Sequence, residues 1–87
     1  MARVNFGKVV IKTIEGKDAE VDFRKTLGNQ LYMQGKDIEE CELGKRIYYA
    51  EDAVELSDKE CDVVRNAVQG YPYLSRTSII AMLSKVK

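Results

Sequence analysis

Two cysteines, Cys41 and Cys61, carry the most reactive side chains in this chain, which contains no histidine. A thiol becomes a nucleophile when a neighbouring base or cation lowers its pKa, and histidine is the usual base. A zinc site needs about four ligands, which two cysteines without histidine cannot supply in one chain. Both cysteines lie among apolar residues of predicted helices, so we interpret them as small buried residues in a reducing compartment.

The serines, glycines and acidic residues match no catalytic or phosphate-binding motif. No serine stands in a G-x-S-x-G turn, and the glycines form neither G-x-G-x-x-G nor G-x-x-x-x-G-K-[ST]. The acidic run from Asp37 to Glu42 lacks the alternating ligands and central glycine of a calcium loop. We interpret it as a solvated helix start, which its negative charge suits. The sequence therefore predicts a protein that is not an enzyme and needs no metal or cofactor.

Aromatic and basic residues near the carboxyl end are the remaining candidates for function. Tyr71 and Tyr73 flank Pro72 in a short loop, where both rings cannot easily be buried. Tyrosine is enriched at protein interfaces, and Arg76 follows at the start of a predicted helix. We predict Tyr71, Tyr73 and Arg76 as interaction residues, with a protein as the expected partner. The leading hypothesis is a non-catalytic protein-interaction or accessory domain.

A DNA-binding regulator is the alternative hypothesis, because residues 57–87 could form a helix-turn-helix. The first residues of the second helix would then contact bases, with Arg76 reading guanine. The hydroxyls of Ser75, Thr77 and Ser78 would contact phosphates or bases. Against this hypothesis, the connection between the helices is longer than the usual three or four residues. In addition, 14 basic residues are balanced by 14 acidic ones, whereas DNA-binding domains usually carry a basic excess.

Length and composition predict one small domain, residues 1–87. A chain of 87 residues suffices for one domain, and 45% apolar and 32% charged residues are ordinary for a globular protein. The longest apolar run, from Ile79 to Leu83, has five residues and is too short to span a membrane. No signal peptide is visible. We expect a cytoplasmic protein without a membrane partner.

A β-hairpin is predicted for residues 3–22, where segments of strand character flank a turn and the first segment has Val9 and Ile11 on one face and a mixed opposite face. Gly16 can adopt a positive φ in that turn. Residues 54–56 also alternate between apolar and polar. They predict either a short third strand beside the hairpin or an extended entry into the next helix.

Four helices are predicted near residues 23–34, 37–50, 58–69 and 74–85. Asp22, Asp37 and Ser57 would cap the first three, and Ser57 with Glu60 forms a capping box. Gly28 inside the first helix costs about 1 kcal/mol relative to alanine, which either close packing against another backbone or a helix break would explain. The predicted fold is therefore α+β, a hairpin packed on four short helices.

The middle of the chain also resembles a group of phage proteins. The segments DFRKTLGNQLY and GKRIYYAEDAVELSDKE lie within residues 22–60. In this pattern an acidic and an apolar residue open a helix with L-G-N-x-L-Y, and a second helix ends in I-Y before V-E-L-S/T-D/E. It is similar to small proteins of unknown function encoded in phage and prophage genomes. The resemblance implies a phage context with head, tail-assembly and regulatory roles all open, and it assigns no site residue.

Overall fold

The computed structural model describes residues 2–84, in which four short strands and four helices form an α+β fold. The strands are β1 (Ala2–Val4), β2 (Val9–Lys12), β3 (Asp18–Val21) and β4 (Val54–Leu56). The helices are α1 (Arg24–Gln34), α2 (Ile38–Tyr48), α3 (Asp58–Ala67) and α4 (Tyr73–Ser84), with a 3₁₀ turn at Val68–Gly70. The predicted fold class and the four predicted helices are confirmed. The predicted last residue of the fourth helix, Lys85, lies outside the described residues.

Residues 9–21 form a β-hairpin that is shorter than the predicted one. Strands β2 and β3 pair antiparallel, with Val9 opposite Val21 at the open end. Gly16 lies in the turn with a φ of 83°, a conformation that favours glycine. The backbone N–H of Gly16 donates to the carbonyl of Thr13 at 2.9 Å and closes the turn.

The prediction that the hairpin begins at residue 3 was wrong, because β1 pairs with β4 instead. The two strands run antiparallel, with Arg3 opposite Glu55. An Asx turn separates β1 from β2, since the side-chain oxygen of Asn5 accepts the N–H of Gly7 at 2.9 Å. The predicted third strand is confirmed as β4, but it lies in a second two-stranded sheet and not beside the hairpin.

One buried apolar cluster joins both sheets to the four helices. Its members are Val4, Phe6, Val9, Leu27, Leu31, Leu43, Ile47, Leu56, Cys61, Val64, Val68, Ile79 and Leu83. Every described strand and helix except β3 contributes at least one of these side chains. Helix α4 lies against β1 and β2, whereas α1 packs along α2. The α1–α2 pair is therefore held in place by the core on one side and leaves its other side to solvent.

Close packing explains the glycines at positions 28 and 44. A Cβ added to Gly28 would lie 2.8 Å from the carbonyl oxygen of Gly44, and one added to Gly44 would lie 2.6 Å from that of Gly28. Neither distance leaves room for a side chain against a backbone atom. Helix α1 continues through Gly28 without a break. Close packing is thus the correct explanation of Gly28, and the alternative of a helix break is wrong.

The predicted caps of α2 and α3 are confirmed. The side chain of Asp37 accepts the backbone N–H of Glu40 at 3.0 Å. At the start of α3, the Ser57 hydroxyl oxygen accepts the N–H of Glu60 at 3.2 Å, and the Glu60 carboxylate accepts the N–H of Ser57 at 2.9 Å. Each pair satisfies backbone donors that have no partner inside the helix.

The prediction that Asp22 caps α1 was wrong by one residue. Phe23 occupies the cap position, and its N–H donates to the carbonyl of Phe6 at 2.8 Å. The Asp22 carboxylate accepts the N–H of Arg24 at 2.9 Å and also holds its guanidinium at 2.7 Å. These hydrogen bonds from Arg24 lower the pKa of Asp22 to about 2. The same guanidinium donates to the carbonyl of Ala50 at 2.6 Å, so Arg24 ties the start of α1 to the loop after α2.

Candidate interaction surfaces

The predicted interaction residues surround the start of α4, where the exposed Tyr73 pairs with the partly exposed Arg76. Tyr73 is 67% exposed. The guanidinium of Arg76 lies over its ring, 5.7 Å from the ring centroid, which suits a cation–π contact. The Arg76 guanidinium also donates a hydrogen bond to the backbone carbonyl of Gln69 at 3.4 Å. The pair therefore presents a flat aromatic and cationic surface to solvent.

Tyr71, in contrast, packs towards the core. Its ring stacks on Phe23 with centroids 5.8 Å apart and planes inclined by 29°. Its hydroxyl is buried without a hydrogen-bond partner among the described residues, and burial raises the pKa of Tyr71. Of the two tyrosines that flank Pro72, only Tyr73 lies in the open, and Tyr71 anchors the loop against the start of α1.

The residues proposed to contact DNA are only partly accessible. Ser75 is buried, with 8% of its surface exposed. The hydroxyl of Thr77 donates back to the carbonyl of Tyr73 at 2.9 Å, within its own helix. Arg76 and Ser78 are partly exposed. The start of α4 therefore offers fewer side chains to a base edge than the sequence indicated.

A second surface, which the sequence analysis did not single out, runs along the solvent side of the α1–α2 pair. It is an open groove of about 330 Å³. We call it the tyrosine groove, and its lining residues are Gly28, Asn29, Tyr32, Gly44, Lys45, Tyr48 and Tyr49. The two glycines carry no side chains and let the helices meet backbone to backbone between the aromatic walls.

The tyrosine groove has aromatic residues on both walls. Tyr32 stands on α1 and is 51% exposed, while Tyr49 follows the end of α2 and is 75% exposed. The rings of Tyr48 and Tyr49 meet edge to face with centroids 4.8 Å apart. Within residues 2–84, Tyr32 has no ring contact. The walls therefore offer a large amphipathic area that the protein itself leaves uncovered.

The polar groups of the tyrosine groove include both hydrogen-bond donors and acceptors. Lys45 is the one charged residue among the lining residues that the structure describes. Its ammonium group pairs with the carboxylate of Glu42 at 3.3 Å, just outside the groove. The side-chain amide of Asn29 and the tyrosine hydroxyls can each donate and accept hydrogen bonds. No carboxylate is among the lining residues that the structure describes.

A repeated spacing in the sequence could have revealed the tyrosine groove. Gly28 precedes Tyr32 by four residues, and Gly44 precedes Tyr48 by four residues. Residues four apart share one face of a helix, so each helix carries a glycine and a tyrosine on the same side. The missing information was that these two sides face each other, which only the packing of α1 on α2 supplies.

The thiols differ from each other in burial. Cys61 is buried, as predicted, and burial raises its pKa, the opposite of what a reactive thiol requires. Cys41 is only half buried, so the prediction of a buried residue was wrong there, and its thiol donates to the carbonyl of Tyr32 at 3.4 Å. Among the described residues, no group of three or more His, Cys, Asp or Glu side chains could hold a metal ion.

Comparison with known proteins adds no family to this geometry. No family model matches the chain, and neither a curated protein nor a solved structure matches it. Within the part of the chain that the structure describes, no helix is long and apolar enough to cross a membrane.

Proposed function

We propose that this protein is a non-catalytic protein-interaction domain and that the tyrosine groove is its binding face. The observation that carries the proposal is the exposure of Tyr32 and Tyr49 on opposite walls of an open groove. Tyrosine and other aromatic residues are enriched at protein interfaces, because a large rigid ring gives contact area at little cost in conformational entropy. The contact between Gly28 and Gly44 fixes the two walls in advance, so binding requires little ordering of the protein.

The start of α4 is the second contact surface of the proposal. Tyr73 and Arg76 are accessible there, and Leu74 beside them is 51% exposed. Tyr71 supports this surface from beneath through its contact with Phe23. The proposed compartment is the cytoplasm, whose reducing conditions suit two free cysteines.

The phage context belongs to the same proposal and rests on the resemblance of residues 22–60. The neighbouring genes test it. Terminase or tail genes beside this one would support a role in assembly, whereas a divergently transcribed promoter would support a regulator. The DNA-binding alternative has less support, because the formal net charge is zero and Ser75 is buried. A mobility shift on random-sequence duplex at low salt tests it, since tight, salt-sensitive binding would favour the regulator.

Selection of binders from a displayed library of random peptides tests the groove. We expect peptides that bind the wild-type protein and lose binding to Tyr49→Ala, because the substitution removes an exposed ring from one wall. Met33→Ala is the matched control, since Met33 is as exposed as Tyr49 and lies on α1 outside the lining of the groove, and Tyr73→Ala tests the second surface. Peptides that depend on Tyr73 and ignore Tyr49 would move the binding face to α4. A library that yields no binder would contradict the proposed function.

A further inference from the structure

We infer that the outer edge of β3 is a further binding site, which takes an extended strand with basic residues from a partner protein. The inference goes beyond the proposed function, because β3 shares no residue with the tyrosine groove. Its first support is the position of the hairpin. Residues 12–18 are all exposed, and β3 is the one described strand or helix that adds no side chain to the buried cluster. The end of the hairpin therefore projects from the protein and does not contribute to its core.

The outer edge of β3 presents backbone groups that no strand covers within residues 2–84, where β3 pairs with β2 alone. The N–H of Thr13 donates to the carbonyl of Lys17 at 2.8 Å, and bonded residue pairs alternate along an antiparallel ladder. Asp18 and Glu20 lie between the bonded pairs, so their N–H and C=O groups point away from β2. An edge of this kind binds an added strand through its main chain. A third strand would also stabilise the hairpin, because two strands alone are marginal in water.

The side chains of β3 define the chemistry of the added strand. Asp18 and Glu20 lie exposed on one face, whereas Ala19 and Val21 are half-buried on the other. Asp18 pairs with Lys12 at 3.3 Å, but Glu20 has no ion pair within residues 2–84. Opposite charges on neighbouring strands attract, so a basic residue is favoured opposite Glu20. Apolar residues would alternate with the basic ones and extend the half-buried face.

A second copy of this chain fits the β3 edge poorly. Antiparallel pairing of two β3 strands would place Asp18 and Glu20 opposite acidic residues, which repel one another. Continuing the antiparallel sheet with β2 of another copy would repeat the two-stranded hairpin about every 10 Å. The molecule measures 23 Å along its shortest axis, so neighbouring copies would overlap. The added strand therefore comes from a different protein.

Titration of the ¹⁵N-labelled protein with a blocked peptide of about eight residues, alternating lysine and valine, tests the inference. We expect saturable shifts of the Asp18 and Glu20 backbone amides. A peptide that alternates glutamate and valine should bind at least about tenfold more weakly. Methylating the backbone nitrogens of the lysines should also abolish binding, because the peptide keeps its charge but loses the donors that face β3.

Glu20→Lys should weaken binding of the lysine–valine peptide at least about tenfold, since the favoured cross-strand charge pair becomes a repulsive one. Glu20→Gln should act in the same direction with a smaller effect. Glu39→Lys is the matched control, because it makes the same change of charge at an exposed residue of α2. It should leave binding at the hairpin nearly unchanged.

Several outcomes would overturn the inference. These are equal binding of the lysine and glutamate peptides, binding that survives methylation, and an equal loss from Glu20→Lys and Glu39→Lys. Absent binding, or shifts confined to other surfaces, would do the same. Self-association with protection of the Asp18 and Glu20 amides from exchange would make a second copy the occupant and overturn it too. Binding of the lysine–valine peptide without any groove binder in the random library would leave this inference standing and the proposed binding face wrong.

Discussion

Glu60 connects three parts of the chain through one carboxylate. One oxygen accepts the N–H of Ser57 in the capping box, and the other accepts from Arg46 of α2 at 2.7 Å. Arg46 also donates to the carbonyl of Glu55 in β4 at 2.7 Å. Burial acts to raise the pKa of Glu60, but the hydrogen bonds from Ser57 and Arg46 outweigh it, so this pKa lies below its usual value. The cap of α3 is thus also the link between α2 and β4.

Replacing Ser57 with alanine should lower the free energy of unfolding by about 0.5–2 kcal/mol, because the N–H of Glu60 loses its partner. Urea denaturation followed by circular dichroism measures the change. Ser78→Ala is the control, and it should be neutral or slightly stabilising since alanine is the better helix former. Equal midpoints for Ser57→Ala and the wild type would show that the cap contributes nothing.

Asp22 should make the free energy of unfolding depend on pH in the acidic range. Its pKa is about 2 in the folded protein against an ordinary 3.8, so the unfolded chain binds more protons between these values. The stabilisation is complete above about pH 4 and is lost as the pH falls towards 2. We expect Asp22→Asn to flatten the decline of unfolding free energy over that range. Because the Asp22 side chain is 49% exposed, solvent screening keeps the effect small.

The control for Asp22 is Asp62→Asn. The Asp62 side chain is 72% exposed and pairs with Arg65 of the same helix, α3. Replacing Asp62 therefore breaks no contact between different elements. Urea midpoints measured in steps of pH compare the two variants. An acid profile of Asp22→Asn as steep as that of the wild type would contradict the assignment.

The α1–α2 pair is the element most sensitive to a small change. Gly28→Ala gains about 1 kcal/mol of helix propensity. However, the new Cβ would lie 2.8 Å from the Gly44 carbonyl oxygen, and overpacking against a backbone typically costs about 1–3 kcal/mol. We expect the clash to win, so that the urea midpoint falls.

Gly70→Ala is the matched control for this prediction. A Cβ at Gly70 would meet nothing within 4 Å, and its φ is not in the positive range. The substitution should therefore be neutral or stabilise the protein by about 0.4–1 kcal/mol, through the loss of entropy in the unfolded chain. A stabilising Gly28→Ala would show that α1 and α2 are not in close contact.

Elements with local signals could be predicted from the sequence. The caps at Asp37 and Ser57 depend on residues three positions away, and the turn at Gly16 depends on one residue. No local residue signals the pairing of β1 with β4. This pairing depends on which distant segment the fold brings beside β1. The candidate interaction residues divide in the same way. Tyr73 was predicted from its place beside Pro72, whereas the tyrosine groove requires knowledge of how two helices pack.

The whole molecule should unfold as one unit, because the buried cluster includes side chains from both sheets and all four helices. The chain has five tyrosines and no tryptophan, so tyrosine fluorescence reports on tertiary structure and circular dichroism at 222 nm on the helices. We expect coincident urea transitions from the two probes. A separate early fluorescence transition would indicate that part of the structure opens on its own.

The pairing of β1 with β4 also affects the order of folding. These strands lie about 50 residues apart in the chain, whereas short loops close the β2–β3 hairpin and the α1–α2 pair. Closing a long loop costs entropy before its contacts contribute, so local pairs form early and distant ones late. Of the four described strands, β1 leaves the ribosome before the others but must wait for β4 to emerge. Among the described strands, β1 is therefore made before its partner by the longest interval, and slowing translation between β1 and β4 prolongs its exposure.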